Sequence, residues 1–269
     1  MNTITLIPMG GLANRLRSIA SGINLAKDCN SKLKIIWFKT WEIGCRFDQL
    51  FNPINSEMIE LKEASFLDLI LFDRPRKKNF FIPGVFHKLL FEKYFHENTK
   101  TIACSFDYHT WAKGHNVCII SCYEFYEKDG INGFENFTPI SVIQKKIDEV
   151  AQKFPPNIIG VHIRRTDNRF SISNSPTELF IEKMKEEKDS SFYLASDLIQ
   201  EKQNIISLFK DKIYCYDCII ERGTVEGIKN AVIELFLLSK TKKIYGSCSS
   251  SFGEIAAKIG KIEFKELQS

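Results

Sequence analysis

Ile158-Ile159-Gly160-Val161-His162-Ile163 runs straight into Arg164-Arg165-Thr166-Asp167. An apolar, β-rich run followed at once by clustered charge is the pattern of a buried strand that delivers charge to the edge of its sheet. In an open α/β sheet the edge at the carboxyl ends of the strands is where ligands bind. Adjacent arginines there point to a polyanion, most simply a pyrophosphate, because each guanidinium forks onto phosphate oxygens.

Outward from this stretch the pattern is regular. A helix over about 140 to 153 ends at Pro155-Pro156, which marks a candidate linker. Strand-like runs at 158–163, 191–195, 212–216 and 243–246 alternate with helical patterns near 177–187, 199–209, 225–239 and 252–259. Strands alternating with helices of this length predict an α/β fold with a parallel, doubly wound sheet. The start of the chain repeats the theme. Thr3 to Pro8 reads as a strand, Gly10-Gly11 as a turn, and Leu12, Leu16, Ile19, Ile23 and Ala26 as one face of a helix. Leu33 to Phe38 reads as the next strand.

The middle, about 40 to 140, is less regular. Short strands are expected at 100–104 and 117–121. The basic aromatic stretch from Leu69 to Phe95 contains Arg74-Pro75-Arg76-Lys77-Lys78 and Phe80-Phe81, and Pro83-Gly84 divides it into two pieces.

Composition limits the function classes. The 269 residues are 44% hydrophobic and 26% charged, which is ordinary for a globular chain with a core. Net charge is +4 and the charges are interspersed, which argues against a dedicated nucleic-acid binder. Phe occurs 22 times, so aromatic packing is expected to dominate the core. No basic n-region precedes Met9, and the longest apolar run, Ala231 to Leu238, is broken by Glu234. Neither a signal peptide nor a transmembrane helix is therefore expected. Eight cysteines without a secretory signal read as reduced thiols in a cytoplasmic protein. Cys215-x-x-Cys218 and Cys118-x-x-x-Cys122 lie in or beside apolar runs, where buried structural Cys is the simpler reading than zinc. No Asp-x-Asp tripeptide exists, and Glu187-Lys188-Asp189 precedes a strand and so falls at the opposite edge of the sheet. Without a metal, pyrophosphate charge has to be met by arginine and backbone dipoles.

The loops after the other strands supply candidate partners for the arginines: Ser196-Asp197, Tyr216-Asp217, and Gly246-Ser247-Cys248-Ser249-Ser250-Ser251. In a parallel sheet all lie on one edge, and small hydroxyl residues leading into a helix can present donors to an anion. Each piece also has a plainer account. Arg164 and Arg165 can form a surface ion-pair cluster with Asp167 as an N-cap. Ser196-Asp197 and Ser249 to Ser251 can be helix caps. Gly10-Gly11 can be a tight turn, and His162 can be a core residue. A nicotinamide enzyme is disfavoured: Gly-x-Gly-x-x-Gly is missing, and Lys39-Thr40 stands where a ribose-binding acid belongs.

Gly160 to Asp167 resembles the His-x-Arg-Arg-x-Asp motif of the GDP-fucose-dependent fucosyltransferase superfamily. The Thr-Asp ending is most like the core α1,6-fucosyltransferases and the rhizobial nodulation fucosyltransferase. Gly10-Gly11-Leu12-Ala13-Asn14-Arg15-Leu16 is similar to the family's N-terminal glycine loop. Phe192 to Asp197 is similar to its second C-terminal strand and turn. Val232 to Ser239 with Gly246 to Phe252 is similar to its last helix, strand and serine turn. The resemblance covers the first 40 residues and about 157 to 260.

This resemblance implies two Rossmann-like domains facing a cleft, a GT-B type glycosyltransferase, with an acceptor-side domain over 1–140 and a GDP-sugar-binding domain over 141–269. It implies metal-independent, inverting transfer of L-fucose from GDP-β-L-fucose to an oligosaccharide or polysaccharide precursor, with no cofactor beyond the donor substrate. Arg164 and Arg165 would bind the diphosphate, Arg165 would stabilise departing GDP, and Asp167 would join it as a catalytic residue. His162 and Asp197 would contact the nucleoside, and Glu234 would stand where the family usually has Asp. Ser250 and Ser251 align with a phosphate-binding Ser-Gln pair, so Ser251 departs from it. Gly10, Gly11, Asn14 and Arg15 would approach the donor from the other domain. The α1,6 enzymes carry a glutamate shortly after the motif, where this chain has Ile172, with Glu178 later; the general base is therefore unassigned. An α1,2-fucosyltransferase, a transferase using another GDP-sugar, and a GDP-sugar-binding protein without turnover stay open. A lipid-linked acceptor at the inner membrane face, with 69–95 touching that face, is a further expectation.

Overall fold

The chain builds two α/β units, one from Met1–Ile140 with Arg222–Val225 and one from Ser141–Glu221 with Glu226–Ser269. The computed structural model describes residues 1–72, 82–96, 106–218 and 221–269. The expected strand at 100–104 and the basic cluster 74–78 lie outside the described residues.

The first unit begins with β1 (Thr3–Pro8), α1 (Leu12–Asp28), β2 (Lys32–Trp37) and β3 (Ile59–Glu63). It continues with α2 (Phe66–Leu71), α3 (Ile82–Leu90), β4 (Lys93–His96), α4 (Tyr108–Ala112) and β5 (Val117–Ser121). The sheet order is β3-β2-β1-β5-β4, with every pair parallel. The central strands are apolar on both faces because both faces are covered, and Ile4, Leu6, Ile7, Ile119 and Ile120 are fully buried. Aromatic rings fill the space beside them: Trp37 meets Phe47 edge-on at 5.5 Å, and Phe47 leads on to Phe51 at 5.2 Å. The sequence pattern does not reveal β3 and β4. Both are edge strands, and their half-buried alternation of polar and apolar residues is too short to stand out. Pro83-Gly84 does not divide its stretch but lies in the first turn of α3, where proline's missing N–H has no intrahelical partner to lose.

The second unit contains α5 (Ser141–Ala151), β6 (Ile158–Ile163), α6 (Arg169–Asn174), α7 (Thr177–Glu186) and β7 (Ser191–Ser196). Then come α8 (Ile199–Phe209), β8 (Ile213–Tyr214), α9 (Val225–Ser239), β9 (Lys243–Ser247), α10 (Ser251–Gly260) and β10 (Glu263–Leu267). Its sheet order is β10-β9-β6-β7-β8, again parallel throughout. Ile159, Val161, Ile163, Phe180, Met184, Phe192 and Leu194 form one core cluster. The strand expected over 212–216 is shortened to two residues. Beyond it the Tyr216 carbonyl takes a long contact from Lys202 Nζ (3.5 Å), and the Tyr216 hydroxyl bonds Asn230 (3.2 Å). β10 is an unforeseen fifth strand. Gly246 of β9 admits the Phe264 ring of β10, since a Cβ there would come within 2.4 Å of it.

The second sheet reverses its strand order once, between β6 and β9. Such switch points open a crevice at the carboxyl ends of the strands. In the second unit that crevice is bounded by Arg164 after β6 and by the serine turn after β9. No helix among the described residues is long and apolar enough to cross a membrane.

Candidate functional site

β6 is buried along its whole length and ends at Ile163, so Arg164 and Arg165 emerge together at the switch point. Backbone and side-chain bonds tie this loop to both neighbours. Arg164 N donates to Ser247 Oγ at 3.0 Å, and Asn168 Nδ2 donates to the Ser249 carbonyl at 3.0 Å. On the other side, Arg165 N donates to Asp197 Oδ1 at 2.7 Å and the Thr166 hydroxyl to Asp197 Oδ2 at 2.6 Å. Arg164 pairs with Asp197 Oδ2 at 2.9 Å and also with Asp167.

Two plainer accounts of these residues fail on geometry, and a third holds in position only. Asp197 caps no helix: α8 starts from Leu198 without a side-chain cap, and the Asp197 carboxylate is turned to the β6 loop. Asp167 is not the N-cap of α6; Asn168 is, accepting from Ser171 N. Ser250 is the N-cap residue of α10 but makes no side-chain cap bond. The turn before it is tight enough to put Ser249 in the left-handed region at φ +53°.

Arg165 lies deeper than Arg164, with side-chain exposures of 8% and 18%. Its Nε donates to Glu201 Oε1 (3.2 Å), one terminal nitrogen to the Arg164 carbonyl (2.8 Å), and the other to Thr177 Oγ1 (3.0 Å). Glu201 and Thr177 escaped sequence reasoning. Their only local signal is a position in the first turn of a helix, and both meet Arg165 only through the folding of α7 and α8.

His162 is buried, stacks on Phe252 with ring centroids 5.0 Å apart, and has Nδ1 without a hydrogen-bond partner among the described residues. Burial, helped by the Arg164 charge, pushes its imidazole down to about 3, so the ring is neutral near pH 7. Glu234 is buried in the middle of α9, where Lys202 Nζ donates to its Oε1 at 2.6 Å. Burial pushes its carboxyl up to about 7 against the pull of that ammonium, and Asp197 adds to the rise.

The remaining expected site residues belong to the first unit. Gly10 turns the chain at φ +82°, and a Cβ there would come within 2.8 Å of the Asn14 amide. Gly11 then caps α1 without a side chain. Arg15 is fully buried, and its guanidinium donates to Gly10 O (2.9 Å), Phe38 O (2.6 Å) and Thr40 Oγ1 (2.9 Å). Its position makes it a brace for the glycine turn.

No group of three or more His, Cys, Asp or Glu side chains is placed to hold a metal among the described residues. The site thus combines two arginines, four carboxyl groups, a neutral imidazole and a hydroxyl-rich turn, a set suited to an anionic ligand that also carries hydrogen-bonding groups.

No protein-family model matches the chain, and no curated protein does. Solved structures match over nearly its whole length. The NodZ α-1,6-fucosyltransferase soaked with GDP-fucose aligns at a TM-score of 0.68 and 18% identity, covering 96% of this chain and 92% of that one. The Arabidopsis thaliana FUT1 complex with GDP aligns at 0.67 and 15%, covering 98% and 70%. POFUT1 in complex with GDP-fucose aligns at 0.57 and 13%, covering 99% and 97%. At these identities the likeness is one of fold: the chain has the paired Rossmann-like units of the GT-B fucosyltransferases.

Proposed function

We propose that the protein transfers L-fucose from GDP-β-L-fucose, with inversion and without a metal ion, to a hydroxyl of an oligosaccharide or polysaccharide precursor. One observation carries this reading: Arg164 and Arg165 stand together at the β6/β9 switch point, between Asp197 and the Ser247 turn. The fold supports it, being that of proteins crystallised with GDP and GDP-fucose.

Glycosyl transfer builds negative charge on the leaving phosphate as the sugar becomes oxocarbenium-like, and fixed cations lower that barrier. Arg165 takes this role. Arg164 pairs with the half-exposed Asp167 and can exchange that carboxylate for a phosphate oxygen. The turn through Ser250 and Ser251 and the start of α10 offer N–H and hydroxyl donors to the diphosphate. His162, Asp197 and Glu234 face the nucleoside. The exposed apolar residues Phe66, Leu67 and Ile70 of α2 and Val85, Leu89 and Leu90 of α3 support a lipid-linked acceptor met at a cytoplasmic membrane face. Flotation with anionic liposomes checks that element, and a protein that stays with the bulk solvent removes it.

Ile172, on α6 where the related motif carries a glutamate, favours one second reading, a GDP-sugar-binding protein without turnover. Calorimetry with GDP and GDP-fucose in chelator, on wild type and Arg165→Ala, tests the donor site. Binding that is lost in the variant is expected. Consumption of GDP-fucose by the wild type then separates transferase from binder, and no binding by the wild type rejects both.

A further inference from the structure

We infer that Glu201 is a positioning residue for Arg165, supplied by α8 from outside the β6 loop, whose own acid, Asp167, pairs with Arg164. This role rests on the donor-transfer reading above.

Three elements meet at the guanidinium. Arg165 leaves the end of β6, Thr177 opens α7, and Glu201 stands in the first turn of α8. Glu201 Oε1 accepts from Arg165 Nε at 3.2 Å and from the Thr177 hydroxyl at 2.5 Å. Thr177 Oγ1 in turn accepts from Arg165 at 3.0 Å, which closes a three-membered ring of hydrogen bonds. With the Arg164 carbonyl, this engages three of the five guanidinium N–H groups and leaves two for an anion. The Phe180 ring, 5.9 Å from the guanidinium carbon, backs the assembly. Glu201 is itself buried, so the ring holds its shape away from solvent.

A cation helps a leaving group most when it is already oriented and needs no rearrangement as charge develops. An arginine side chain is long and flexible, and its orientation here comes from its partners. The residue four positions beyond Asn168, Ile172, has no carboxylate to offer. Glu201 meets the requirement from another element, with its Oε1 taken up by Arg165 and Thr177. It therefore acts through Arg165.

Two substitutions separate orientation from bulk. Glu201→Met keeps the length and removes both acceptor oxygens, whereas Glu201→Gln keeps an amide oxygen able to accept both bonds. We expect Glu201→Met to lower kcat for GDP-fucose consumption by about tenfold or more while GDP Kd changes less than about threefold, and Glu201→Gln to recover most of kcat. The Arg165 Nε–H signal in 15N correlation spectra, assigned by its loss in Arg165→Lys, is expected to be protected in wild type and Glu201→Gln and exchanged in Glu201→Met. If Glu201→Met does not fold, Thr177→Val removes the other arm and is expected to show the same kcat-against-Kd split, smaller in size. Wild-type kcat in Glu201→Met, or a protected Nε–H there, overturns the role. A wild type that neither binds GDP nor consumes GDP-fucose overturns the transfer reading, and the Nε–H signal still reports separately whether Glu201 holds Arg165.

Discussion

Arg15 in the first unit and Arg165 in the second both follow a strand to the carboxyl edge of a parallel sheet, and the two are held in different ways. Arg15 is closed off from solvent and bonded to two backbone carbonyls and a hydroxyl, with its guanidinium 4.6 Å above the Trp37 ring. Glu42 lies near enough to favour the charge, yet burial dominates and pushes the group down to about 10. Arg165 and Arg164 are held by carboxylates, and the outermost of these, Asp167, is half exposed. Carbonyl partners cannot leave without stranding buried acceptors. An exposed carboxylate can be replaced by another anion at little loss. The first arrangement suits a brace and the second suits a ligand site.

The contrast breaks if the two arginines respond alike to removal. The largest effect is expected for Arg165→Ala, with turnover of GDP-fucose down ~10²–10³-fold in steady-state assays, the range for losing one preorganised charge-stabilising group. Next comes Arg15→Met, which strands the Phe38 and Gly10 carbonyls. Loss of roughly 3 kcal/mol is expected in urea unfolding monitored through the first unit's tryptophans, from bonds to a charged donor worth ~1.5–3 kcal/mol each. Arg15→Met with unchanged unfolding would make its bonds incidental.

A smaller effect sharpens the comparison at a third buried charge. Glu234 has its carboxyl raised from 4.5 to about 7 in the folded protein. Its contribution to stability is then complete below pH 4.5 and is lost as pH rises through about 7, because the folded state binds the extra proton. The stability difference between wild type and Glu234→Gln, from urea unfolding at pH 5 and pH 8, is expected to shift against the wild type at the higher pH. A flat difference would mean that the Lys202 ammonium outweighs burial and keeps Glu234 fully ionised.

Much of this architecture is legible in the chain because its central strands are mainly apolar. β1, β6 and β7 are covered on both faces, so continuous runs such as Ile158 to Ile163 announce them, and the helices between them show their own period. The edge strands β3, β4, β8 and β10 are half covered, only two to five residues long, and leave a weaker trace. The arginine pair was legible because charge directly after a buried strand is unusual. The capping accounts of Asp197 and Asp167 were equally compatible with the letters and were settled only by where the carboxylates turn.

By itself, then, the sequence determined the alternation of strand and helix, the glycine turn, and the place along the chain where arginines emerge, because these follow from local burial and backbone freedom. Only the tertiary structure decided the strand orders that put β6 beside β9. It also decided the pairing of Arg165 with Glu201, 36 residues away, and of Lys202 with Glu234, 32 residues away. Such pairs carry no periodic signal. They form because a buried charge must find a partner, and which partner lies within reach is set by how the helices pack on the sheet.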